Sequence, residues 1–99
     1  MKKIQEYVDL ISEELEGAKN YAEKYLDYKA KNDGNLSAKF KQMATDELNH
    51  ATNIHDIALK EIEQLSAVYT PPVEMEKEWE ITHKEYIETT AWIKQMLAM

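Results

Sequence analysis

No cysteine occurs in the 99 residues, which removes disulfides, thiolate zinc sites, iron–sulfur clusters and cysteine nucleophiles together. Glycine and proline appear twice each, too rarely to punctuate a multi-stranded sheet with tight turns. No apolar run approaches the length of a membrane span. The N-terminus, Met1-Lys2-Lys3-Ile4-Gln5-Glu6, turns amphipathic at once and lacks the apolar stretch of a signal peptide. Positive charge is also scarce. At a net charge of -7 the chain offers no basic surface for nucleic acid or for an anionic membrane, whereas an acidic field gathers cations. These absences point to a cytoplasmic protein.

What is present suits amphipathic helices: 31% charged and 43% hydrophobic residues in a single small domain, 1–99. Residues 3 to 31 read as one long helix. It ends at Lys31-Asn32-Asp33-Gly34-Asn35, where Gly34 is expected to take the left-handed C-terminal position and Asn35 to cap the next helix. The second helix is expected from Leu36 to Val68. The third follows Thr70-Pro71-Pro72, with Thr70 as cap and Pro71 in the first turn, and runs to Leu97. The expected fold is all-α: an antiparallel hairpin of long helices plus a third C-terminal helix. Each helix covers about 40 Å at 1.5 Å per residue, too long for the core of so small a monomer, so a homodimer or higher assembly is expected.

At about 100° per residue, the apolar stripe of the first helix is Tyr7, Leu10, Ile11, Ala18, Tyr21, Tyr25 and Tyr28, and Glu14 falls in its middle. The stripe of the second is Leu36, Phe40, Met43, Ala51, Ile54, Ala58, Leu65 and Val68. Glu47 falls in its middle, with His50 one turn on and about 60° to one side. Buried carboxylates without partners are costly, and with no arginine and few well-placed lysines the chain has little to neutralise them. Protonation, hydrogen bonds to the tyrosines, or a metal ion would relieve them. The spacing favours metal: Glu47-Leu48-Asn49-His50 is Glu-x-x-His, the unit that joins lone glutamates in the di-iron sites of ferritin-like bundles. One chain supplies Glu14, Glu47 and His50. Two chains about a two-fold axis supply a full set of carboxylates and imidazoles, which balances two Fe²⁺ and also suits manganese or zinc. The alternative is a metal-free polar cluster that fixes helix register.

Glu13-Glu14-Leu15-Glu16, Tyr21 and Asp46-Glu47-Leu48-Asn49-His50-Ala51 together resemble the ferritin-like superfamily, and are most similar to the encapsulated ferritins. The resemblance covers residues 7 to 68. It implies a four-helix bundle completed by dimerisation, with Glu14, Glu47 and His50 as iron ligands. It further implies Glu13 and Glu16 as entry or secondary acidic positions and Tyr21 as an aromatic neighbour of the site. The implied activity is oxidation of Fe²⁺ by dioxygen for iron storage, inside an encapsulin shell. The sequence departs from that pattern at Asn20, where the family carries an aromatic residue, and no shell-docking tail follows Lys94-Gln95-Met96-Leu97-Ala98-Met99.

Glu80-Ile81-Thr82-His83 is a second Glu-x-x-His. In an antiparallel hairpin around Tyr69 to Pro72, His83 lies level with Ala58, about 12 Å from His50, too far to share a metal with Glu47. A Glu61–His83 hydrogen bond is the expectation there, ahead of a second metal site. His55 is read as partly exposed at the edge of its helix, Trp79 as core, and Trp92 as pointing away to a subunit contact. Counting from the turn leaves Glu14 and Glu47 about 8 Å apart in level, an offset that a tilt or pairing across subunits would absorb. Three functions are consistent with these residues. They are a di-iron ferroxidase, a rubrerythrin-like peroxidase or oxidase with the same ligands, and a metal-free helical interaction module.

Overall fold

The computed structural model describes residues 2–68 and 70–99, and the side chain of Lys2 is not among the described parts. It consists of three helices, α1 (Lys2–Ala30), α2 (Gly34–Ser66) and α3 (Val73–Ala98), with no strand among the described residues. The all-α expectation holds. The helices lie side by side in a body of 55 × 18 × 17 Å, with α3 packed chiefly on α1 and only lightly on α2. No described helix is long and apolar enough to cross a membrane.

The α1–α2 turn is tighter than the sequence suggested. Asn32, not Gly34, takes the left-handed conformation, at φ 59°; asparagine tolerates this region better than most residues. The Asp33 amide donates to Tyr28 O at 2.9 Å and the Asn32 amide to Lys29 O at 3.1 Å, which closes α1 in a Schellman motif. Asp33 then also caps α2, its carboxylate accepting from Leu36 N at 3.0 Å. Gly34 is thereby freed to become the first residue of α2 and Asn35 is not the cap. At the second turn, Tyr69 lies outside the described residues; Pro72 precedes α3 without a side-chain cap bond, so Thr70 and Pro71 do not play the roles expected of them.

The buried arc of each long helix is rotated one position from the expected stripe. On α1 it is Ile4, Val8, Ile11, Leu15, Ala18, Ala22 and Tyr25; on α2 it is Ser37, Ala44, Leu48, Ala51, His55 and Ala58. The rotation arises because α1 must face both α2 and α3, which moves its buried centre toward the groove between them. Five alanines in these arcs are fully buried: Ala18, Ala22, Ala44, Ala51 and Ala58. Their small side chains let α1 and α2 approach closely. The residues read as mid-stripe fall on the flank: Tyr7, Glu14, Tyr21 and Tyr28 on α1 and Glu47 and Ile54 on α2 are half-buried, while His50 is exposed.

That flank is open. Leu10 is 42% exposed, Met43 39% and Ile57 49%. They recur with Glu14, Glu47 and His50 at the i, i+3, i+4 intervals of one helix face. Far from the turn the hairpin is tied by Lys3 Nζ to Glu61 Oε1 at 2.9 Å, and Tyr7 Oη donates to the same carboxylate at 3.1 Å. Glu61 therefore does not bond His83. The ion pair holds the Glu61 carboxyl below its ordinary range and the Lys3 ammonium above.

His83 instead meets His55, which is buried rather than edge-exposed. His55 Nε2 and His83 Nδ1 share a hydrogen bond at 2.8 Å, and His55 stacks on Tyr86, His83 and Trp79 at 4.2, 5.0 and 5.3 Å between ring centres. With Thr52 Oγ1 and Tyr86 Oη at 2.8 Å, this cluster joins α3 to α2. Trp79 packs against the core as expected and Trp92 is 51% exposed.

Burial, reinforced by the neighbouring His83, lowers the pKa of His55 from 6.5, partly offset by Asp56. As pH falls through 6.5 the unfolded chain takes up this proton before the folded one, so stability present above that pH is lost below it. We expect the urea midpoint to drop between about pH 7 and pH 5, and His55→Phe to flatten that drop. An unchanged slope in the variant would remove His55 as its source.

Candidate metal centre

Glu14 rises from the middle of α1, and Glu47 and His50 from one face of α2. One ligating atom from each lies within 4.8 Å of the others. The alanine seam brings the helices close enough for this, and the early start of α2 at Gly34 reduces the level offset expected from sequence. Glu47 lies across from Gly17, one turn beyond Glu14 on α1. A methyl group built on Gly17 would stand 3.1 Å from Glu47 Oε2. The remaining offset is spanned by the length of the Glu47 side chain.

The three groups are graded in depth. The Glu14 side chain is 25% exposed and that of His50 56%, so the imidazole forms the rim. His50 Nδ1 stands 3.4 Å from Glu14 Oε2, a close contact outside good hydrogen-bond geometry. Glu14 Oε2 is accordingly a buried acceptor with no donor. Such an atom costs about 1–3 kcal/mol when left unpaired. The Glu47 carboxyl is pushed above its ordinary 4.5, first by hydrogen bonding with Glu14, then by burial and by the Glu14 charge; His50 pulls weakly the other way. Two acidic groups thus share a crevice in which they do not both ionise comfortably.

A divalent cation fits this donor set. It would supply the positive charge that the orphaned Glu14 oxygen and the strained Glu47 lack, and mixed carboxylate and imidazole ligands suit iron, manganese or zinc. Glu13 and Glu16 are both exposed and do not join the three. Glu16 instead lines the groove between α1 and α3 with Ser12, Lys19 and Glu85. Tyr21 stacks on Phe40 at 6.1 Å, on the same face as Glu14. Glu61 is engaged by Lys3 and Tyr7, Glu80 is exposed and His83 pairs with His55, so these form no second ligand group among the described residues. Sequence reasoning missed Gly17 and the burial of His55. The latter was signalled by Ala44, Leu48, Ala51, His55 and Ala58, which recur at the four-three spacing of a buried seam.

Because the folded pKa of Glu47 is raised, its contribution to stability is complete at low pH and is lost as pH rises through that value. Where Glu47 is protonated, binding a cation must displace that proton. We expect the metal-free protein to weaken on the alkaline side of about pH 4.5 relative to Glu47→Gln. Metal titration should release protons, read as heats that depend on the ionisation enthalpy of the buffer. Buffer-independent heats would contradict a proton held at this carboxyl.

The Rubrerythrin family model matches residues 9–97. No curated protein and no solved structure gives a significant match. The matched span includes Glu14, Glu47 and His50 and extends along α3 almost to its end. Members of that family typically bind iron. Matched over nearly its whole length, this three-helix chain belongs to the rubrerythrin family of the ferritin-like superfamily.

Proposed function

We propose that the protein is a di-iron ferroxidase whose centre is completed by a second copy of the chain, on the subunit plan of the encapsulated ferritins. The observation that carries this reading is the convergence of Glu14, Glu47 and His50 within 4.8 Å on an open face. These residues are half of a four-carboxylate, two-histidine set. The exposed Leu10, Met43 and Ile57 give that face the apolar surface a partner copy would cover. Two copies about a two-fold axis would bring both half-sites together.

In this reading Fe²⁺ is the substrate. Two Fe²⁺ each give one electron to dioxygen, which leaves with two protons as hydrogen peroxide. His50, at the rim, meets the incoming cation first. Glu14 and Glu47 supply the negative charge that offsets the extra positive charge of the ferric product, and any proton that the raised pKa of Glu47 retains must leave as iron arrives.

Loading the protein with Fe²⁺ in air should give about one iron per chain in a dimer or larger assembly, and Glu47→Ala should weaken binding by more than about tenfold. Absence of bound iron with the assembly unchanged would leave a metal-free helical module. In that case Glu47→Ala would be neutral or stabilising.

Membership of the rubrerythrin family favours a second reading, peroxide reduction at the same ligands. These 99 residues contain no cysteine, so the electrons for that reaction would come from an iron–sulfur or other donor outside them. Peroxide consumption under a supplied reductant, without accumulation of ferric mineral, would select this reading over storage.

A further inference from the structure

Resting on the metal-site reading above, we propose that Gly17 is a positioning residue: the missing side chain opens the path by which Glu47 crosses from α2 to Glu14. Gly17 lies deep inside α1, where nothing in the backbone asks for glycine, because it has no positive φ. A mid-helix glycine weakens a helix relative to alanine. Its position is explained by what faces it. The three nearest atoms to a methyl group built there all belong to Glu47: Oε2 at 3.1 Å, Cδ at 3.6 Å and Cγ at 3.8 Å. No backbone or apolar side chain of another helix crowds the spot more closely, so the glycine accommodates the carboxylate rather than close helix packing within the chain.

The geometry also sets the direction of the effect. A contact of 3.1 Å is too tight for a methyl group, yet the atom opposing it is the end of a flexible side chain. Alanine would therefore displace the Glu47 carboxylate by a few tenths of an ångström and leave the helices in place. The displaced group is the one that must meet both Glu14 and a cation. Stability and metal binding should consequently move in opposite directions, which simple packing would not produce.

The test compares wild type, Gly17→Ala, Glu47→Ala and the double variant, using anaerobic Fe²⁺ and Zn²⁺ titration, metal-free melting temperature and oligomer mass. We expect Gly17→Ala to lose roughly tenfold in affinity for either metal while its metal-free melting temperature holds or rises. The rise should be larger in the Glu47→Ala background, where the opposing carboxylate is gone. Equal affinity in Gly17→Ala and wild type would overturn the role of Gly17 and leave the metal site standing. A lower melting temperature or lost assembly in both backgrounds would also overturn it, in favour of a glycine needed for packing. A wild type that takes up neither metal would overturn the positioning role together with the site on which it rests.

Discussion

The protein is organised around the approach of two acidic side chains across an alanine seam. Ala18 and Ala22 on α1 and Ala44, Ala51 and Ala58 on α2 contribute little apolar area each, but they bring the helix axes together. That closeness puts Glu14 and Glu47 in one crevice, where the Glu47 carboxyl is pushed above its ordinary pKa and Glu14 keeps an unpaired oxygen. Larger core residues would bury more area and hold the carboxylates apart. The seam trades cohesion for close approach, and the bulkier apolar groups Ile11 and Leu15 of α1 and Ile93 and Leu97 of α3, in the same core, make up some of the difference.

The two sides of the hairpin are chemically distinct. One receives α3 and is closed by the His55–His83 hydrogen bond, the aromatic stack and the Thr52–Tyr86 contact. The other carries the acidic crevice among half-buried tyrosines and exposed Leu10, Met43 and Ile57. On the closed side His55, His83, Thr52 and Tyr86 find partners within the chain, while Thr90 Oγ1 has none. On the open side the unpartnered oxygen, Glu14 Oε2, belongs to a carboxylate beside a second carboxylate and an imidazole, which is the physical basis for proposing metal chemistry at that face.

Much of this was legible in the sequence. Three helices, their approximate limits and the choice of Glu14, Glu47 and His50 follow from periodicity and from the Glu-x-x-His spacing, whereas counting from the turn leaves Glu14 and Glu47 about 8 Å apart in level. Periodicity did not fix the rotation of the buried arcs, because tyrosines and alanines are both counted as apolar and only packing against a third helix decides which face inward. The turn departs from expectation for a related reason. Asn32, Asp33 and Gly34 are all competent turn formers, and the choice among them depends on Asp33 serving both helices at once. Level alone pairs Glu61 with His83, whereas each has a better partner on another helix face: Lys3 and Tyr7 for the first, His55 for the second.

The hairpin is fastened at both extremities, by the shared Asn32–Asp33 turn at one and by Lys3, Tyr7 and Glu61 at the other. Long helices fray from their ends, and a fluctuation beginning at either tip decays over successive turns. Glu14 and Glu47 lie between the two fastenings, several turns from each. The crevice therefore lies in the stretch of the hairpin that fraying from either end reaches least.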